Sequence, residues 1–217
     1  MKALVEVITI MSLFSIIKTF AASPENKFWK WFVKNQDMLF EFEKDRENIF
    51  DKLSSEMNKV DPNLTFEFSP VLESGKREFV VSAAGIKDAF PAVEALYDSA
   101  PNLPKWIFIK FRPRRKPLND LSFGGKNIKA SEVHYKMFKD QEKVGLIVFL
   151  DGYNDAEEDT YGNIGYLFLD EALGEYDIEM KVGFIEIHSR ESEYFEGSRR
   201  LSELADNFNE YFRNTMH

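Results

Sequence analysis

The chain has 217 residues, of which 44% are apolar and 30% charged, with 21 phenylalanines and a formal net charge of −9. That length and apolar content bury a full core without a metal or a disulfide, and the mixed charge separates the chain from disordered polymers. Cysteine is absent, which removes disulfides, thiolate metal sites and thiol nucleophiles together, and the acidic balance disfavours nucleic acid and polybasic membrane contacts.

Residues 1–22 form an N-terminal extension rich in Leu, Val, Ile and Phe, interrupted by Glu6 and Lys18. Three readings compete for it: an extension upstream of a start at Met11, a signal peptide ending near Ala21-Ala22, and an interfacial helix. No run of about 18 uncharged apolar residues exists to span a membrane. A cytoplasmic protein is expected, with export as the alternative if residues 1–21 are a signal.

The remaining chain, 23–217, reads as one α/β domain. Ser23-Pro24-Glu25 is a helix start, with a cap residue, Pro in the first turn and an acid behind it. Phe28, Trp31, Phe32, Leu39 and Phe42, then Ile49, Phe50, Leu53 and Met57, keep helical spacing to Asp61-Pro62, giving one long helix or two. Residues 64–68 and 77–83 read as a strand pair around Ser74-Gly75-Lys76. A short helix comes next near Phe90–Tyr97, and Trp106-Ile107-Phe108-Ile109, apolar on both faces, reads as a central strand. Breakers Pro113, Pro117 and Gly124-Gly125 make 112–130 a loop. Strands at 132–138 and 144–150, a helix at about 161–174 ended by Gly174, a strand at 180–188 and a last helix complete the order. The predicted fold is mixed α/β: a six-stranded mixed sheet from two ββαβ halves, 64–111 and 132–188, flanked by the N-terminal helices and a C-terminal helix.

Familiar catalytic signatures fail residue by residue. A P-loop ending at Gly125-Lys126 would need Gly in place of Asp120 and Ser or Thr in place of Asn127. Neither a dinucleotide fingerprint nor a nucleophile elbow occurs. An EF-hand starting at Asp151 would put Tyr153, Ala156 and Gly162 at ligand or turn positions. An irregular divalent site on Asp151, Asp155 and Glu158 stays open beside the plainer reading, in which these acids solvate a loop and favour a helix N-terminus. His134 and His188 could meet across a sheet, but each suits an ordinary half-buried strand position. No metal, cofactor or catalytic residue is assigned.

Charge segregation is the strongest pattern. Residues 105–129 carry eight basic side chains and one acid, whereas 151–179 carry ten acids and no Lys or Arg. Either the blocks pair with each other, or Arg112, Arg114, Arg115 and Lys116 form an anion or partner site with Asp151 or Glu175 opposite.

The stretches Phe28-Trp29-Lys30-Trp31-Phe32, Arg77-Glu78-Phe79, Ala100-Pro101, Phe111-Arg112-Pro113-Arg114-Arg115 and Leu173-Gly174-Glu175-Tyr176-Asp177 give the chain its character. In these it resembles a bacterial protein family carrying a domain of unknown function. The resemblance implies a cytosolic single-domain protein and brings no activity with it. The expected function is a non-catalytic interaction or regulatory module for a protein partner, bound through Trp29 and Trp31 or the charged segments. The alternative is a small-anion binder or enzyme on the 112–116 loop. Homodimerisation through a sheet edge or the N-terminal helix is a third expectation.

Overall fold

The computed structural model describes residues 22–215; the expectations for residues 1–21 and for His217 lie outside them. The first helix begins at the cap that the sequence marks: Ser23 Oγ accepts the Asn26 N–H at 3.2 Å, with Pro24 in the first turn of α1 (Pro24–Phe40). A 3-10 turn over Phe42–Lys44 separates α1 from α2 (Arg46–Met57), so the long helical stretch is two helices.

The chain then forms a hairpin, β1 (Thr65–Phe68) with β2 (Arg77–Ser82), and crosses through α3 (Phe90–Asp98) to β3 (Trp106–Lys110), parallel to β2. The register sets Phe66, Phe68, Phe79 and Phe108 on one face. These rings meet Phe28, Trp29 and Phe32 of α1, with Phe79 fully buried 5.2 Å from both Phe32 and Phe68. Aromatic edges and faces packed at such distances add to the burial energy. Arg77, 2% exposed, is held in this cluster: its guanidinium lies 4.4 Å from the Phe42 ring, bonds Glu43 at 2.6 Å and donates to the Ser69 carbonyl.

After a small hairpin, β4 (Leu121–Phe123) with β5 (Lys126–Ile128), the order repeats. A hairpin of β6 (His134–Asp140) and β7 (Lys143–Phe149) is followed by α4 (Glu158–Leu173), α5 (Glu175–Lys181) and β8 (Val182–His188), parallel to β7. Two-residue β9 (Arg199–Arg200) pairs with β6, and α6 (Leu204–Thr215) ends the described chain. Tyr135, Leu146 and Val148 point into a second core with Phe168, Leu169 and Phe208.

The mixed α+β class is as expected, but the single six-stranded sheet is not. The strands form two separate sheets, ordered β1-β2-β3 and β8-β7-β6-β9, beside the small hairpin. Each ββαβ half closes its own sheet around its own core. β7 is central and buried along nearly its whole length, as its composition demands. β3 is instead an edge strand, with Ile107, Phe108 and Ile109 only half-buried. A four-residue apolar run has the same composition in either place. No described helix is long and apolar enough to cross a membrane.

Candidate functional site

The arginine-rich loop leaves β3 at Phe111, which adopts a positive φ of 60° and packs its ring between Phe90 and Tyr176. That turn aims the loop at the second half. Arg112 bonds Asp170 in two-pronged fashion, Nε to Oδ2 at 2.8 Å and Nη2 to Oδ1 at 3.0 Å, while Nη1 donates to Ser82 Oγ at 3.0 Å. Desolvation pulls against its charge, yet the Asp170 bond and the nearby carboxylates hold the guanidinium more firmly protonated than usual. Arg114 reaches the Leu173 and Ala205 carbonyls, Asp177 and Asn209.

Glu175 is the centre of this junction and is fully buried. One carboxylate oxygen accepts the backbone N–H groups of Ala83 and Gly85, at 2.9 and 3.0 Å, and the other accepts that of Arg112 at 3.0 Å. Ala84 and Gly85 supply the geometry with φ of 49° and 84°. Successive N–H groups in such turns form an anion-binding concavity, here occupied by the chain's own carboxylate. The Glu175 N–H returns a bond to the Arg112 carbonyl at 3.0 Å. Gly174 makes the approach feasible: its φ of 76° and ψ of 156° lie in a region essentially restricted to glycine, and a Cβ there would sit 2.9 Å from the Arg112 carbonyl oxygen.

The two charge blocks therefore pair in part within the molecule, through Arg112, Arg114 and Lys126, while Lys105, Arg115, Lys116 and Lys129 meet acids outside the acidic block. Lys126 bonds Glu157 at 2.8 Å, and the Asn119 amide groups bond Glu171. The Arg112 guanidinium, expected opposite Glu175 as a free anion receptor, is committed to Asp170 and Ser82. Glu171 and Glu175 do not share a helical face, because α4 stops between them. Asp151, Asp155 and Glu158 are exposed, and among the described residues no three His, Cys, Asp or Glu side chains converge as metal ligands. Trp29 is 4% exposed and donates its ring N–H to the Leu96 carbonyl, which makes it a core residue and not an interface; Trp31 is half-buried against the same core. His134 and His188 each flank Phe149 from opposite sides and do not meet.

Two features carry only a faint signal in the sequence. His188 bridges Ser192 Oγ at 3.1 Å and Glu186 Oε2 at 3.0 Å. Ser192 also caps the following 3-10 turn, and the loop seats Phe195 against Phe149. With Glu186 54% exposed, these bonds fasten a loop over the outer sheet face. The second feature is a cleft of about 500 Å³ where residues 114–118 face 130–131 and 200–206. Leu118, Ala130, Ala172, Leu201 and Ala205 line it together with Ser131, Ser202, Lys116 and Arg200. Arg115 contributes to its wall but turns its guanidinium toward Glu67 at 3.0 Å. Of the expected anion-binding residues, Lys116 is the one left loosely held, 3.3 Å from Asp206 with both side chains more than three-quarters exposed. Only the Arg199-Arg200 doublet hinted at a further cation here.

No family model, curated protein or solved structure matches this chain.

Proposed function

We propose that the chain is a non-catalytic binding module that seats an anionic ligand in the cleft between the 114–118 loop and the 200–206 turn. The observation that carries this reading is a largely apolar hollow whose lining includes Lys116 and Arg200 on a molecule of net charge −9. Arg200 has no carboxylate within 4 Å among the described residues. Small-molecule sites are typically apolar hollows of about 300–1,000 Å³ with a few fixed polar groups.

The enzyme alternative has less behind it. Of its arginines, Arg112 and Arg114 already have acceptors on every side and Arg115 bonds Glu67; of its acids, Glu175 is sealed behind backbone donors and Asp151 is exposed. A protein partner docking on Trp29 lacks an exposed ring to grip.

The test is thermal unfolding of the wild type and Arg200→Gln with anions of several classes: inorganic phosphate, short dicarboxylates, an acidic peptide and anionic amphiphiles. A ligand at 100 times its Kd stabilises the folded state by about 2.7 kcal/mol. At least one class is expected to raise the wild-type midpoint and not the variant's. Equal responses of the two proteins to every class would refute the assignment of the cleft.

A further inference from the structure

We infer that a second cleft, between β6 and α6, binds a small zwitterion built like a free amino acid, with its carboxylate toward Arg199 and its ammonium toward Glu210. This site is separate from the cleft at the 114–118 loop.

Its walls are a strand and a helix pinned together at both ends. β9 pairs with β6 only at His134 and Tyr135, so the strand beyond Tyr135 has no neighbour on that side. α6 runs beside this stretch in the same direction. Asn207 donates to the Tyr135 hydroxyl at 2.8 Å near one end, and Lys139 Nζ donates to the Thr215 carbonyl at 3.2 Å near the other. Roughly 13 Å of strand thus lies against roughly 12 Å of helix. Leu204 and Phe208, both fully buried, hold α6 on the second core. Between the walls is a hollow of about 380 Å³, at the small end of the range for small-molecule sites.

The register decides where the cation points. Arg199 is the cross-strand partner of Tyr135, and residues directly opposite in an antiparallel pair share a face. Tyr135 belongs to the second core, so Arg199 lies on the α6 side of the sheet. Burial pushes the Tyr135 phenol up, while the Asn207 hydrogen bond and the nearby Arg199 guanidinium pull it down; burial prevails and the hydroxyl keeps its proton. Asn207 donates to the phenol oxygen, and no described group accepts the O–H. A guanidinium and a phenol O–H side by side suit a carboxylate.

The helix supplies the opposite charge. Asn207, Glu210, Tyr211 and Asn214 have the spacing of one helical face, and all four line the hollow. Arg199 and Glu210 line it together, yet neither takes part in an ion pair among the described residues. They stand too far apart to neutralise each other, and a ligand carrying both charges answers both. A simple anion would confront Glu210 and a simple cation would confront Arg199, a mismatch that costs affinity. Half-buried Met137 and Tyr211 offer apolar surface to a short side chain.

The experiment is calorimetric titration of the full chain with the common L-amino acids, then, for the tightest, with the two analogues that lack its ammonium or its carboxylate. Leucine or methionine is expected to bind one-to-one, and glycine about tenfold or more weakly for want of an apolar body. Each analogue should bind at least about tenfold more weakly than its parent, by loss of one charge-assisted contact. Arg199→Gln should weaken the amino acid by about tenfold and leave the decarboxylated amine unaffected. Glu210→Gln should weaken it similarly and leave the deaminated acid no worse bound. Both side chains are exposed, so urea midpoints should stay at the wild-type value. Arg200→Gln, in the other cleft, should change none of this. Absence of saturable binding by any amino acid, an analogue matching its parent, or equal losses for acid and amine in either variant would overturn the inference. So would binding that is lost in Arg200→Gln and kept in Arg199→Gln, which would move the ligand to the cleft at the 114–118 loop.

Discussion

Replacing Glu175 with alanine tests the junction most directly. The substitution strips acceptors from three backbone N–H groups, those of Ala83, Gly85 and Arg112. All three belong to the first half of the chain, and the site is closed to water at Glu175 itself, which is 0% exposed. Hydrogen bonds to a charged group contribute about 1.5–3 kcal/mol each, and removing one partner of a buried charged network typically costs about 3–5 kcal/mol in total, because the losses do not add fully. For a chain of this length each kcal/mol lowers the melting temperature by about 2–4 °C, so a fall of roughly 6–20 °C is expected. The vacated concavity keeps its donors, so formate or acetate should enter it. At ten times its Kd a rescuing anion returns about 1.4 kcal/mol. Glu175→Gln should not substitute for rescue, because its amide NH2 would confront an N–H donor. The assay is thermal and urea unfolding of wild type and both variants, with and without about 100 mM formate, against a chloride control. A loss below about 1 kcal/mol for the alanine variant, less than one such hydrogen bond is worth, or formate stabilising wild type and variant equally, would refute this account of the junction.

Other outcomes rest on neighbouring geometry. Gly174→Ala should cost about 2–4 kcal/mol by urea unfolding, since the new Cβ would combine a glycine-only backbone with a 2.9 Å approach to the Arg112 carbonyl oxygen; a neutral result would mean the α4–α5 link bends elsewhere. Phe79→Ala, at the fully buried centre of the aromatic cluster, should cost about 3–5 kcal/mol and more than Phe108→Ala on the half-buried edge strand; the reverse order would contradict the edge placement of β3. Acid should weaken the first half through Glu43. Partial burial pushes its carboxyl upward, but the Arg77 hydrogen bond and charge prevail and hold it below its ordinary value of 4.5. A depressed carboxyl contributes stability that is present above its unfolded pKa and lost as the pH falls through the folded value. Glu43→Gln should therefore flatten the decline in the urea midpoint below about pH 4.5, and an unchanged slope would remove Glu43 from the acid response.

Local signals in the sequence are legible where one residue determines one geometry. Ser23 and Pro24 mark the start of α1, and the uninterrupted apolar run at Val144–Phe149 marks the central strand. The repeated ββαβ order is also readable, since hairpin turns and crossover helices leave composition cues. Which strands share a sheet is not, because pairing between halves and pairing within them use the same alternation. Gly174 reads as a helix end, and it is one, but α5 restarts immediately because the Glu175 carboxylate is tied to the turns after β2 and β3. That tie is a long-range contact with no periodicity to announce it. The charged blocks are visible as blocks; their pairing depends on Phe111 turning the chain through a positive φ. The cleft is the least legible feature, because it is assembled from small side chains far apart in sequence, such as Ala130, Ala172 and Ala205.

The placement of the cleft is set by how the two halves use their strand ends. Open sheets with parallel strands usually bind ligands beyond the carboxyl ends of those strands. Beyond β2 and β3 that position holds backbone donors arranged for an anion, and Glu175 fills it from the other half. Beyond β7 and β8 the Leu150 N–H closes onto the His188 carbonyl at 3.0 Å, while the Ser192–His188–Glu186 bonds draw the next loop across Phe149. Both customary sites are thus taken up in holding the molecule together. On the proposed reading, a ligand uses ground that the junction creates without consuming it. The side of the 114–118 loop facing away from Asp170 and Glu67 meets the start of the C-terminal helix there, and Arg200 remains without a carboxylate among the described residues. The proposed site depends on the Glu175 junction for its shape, so any ligand affinity measured for the cleft should fall in Glu175→Ala and recover with formate.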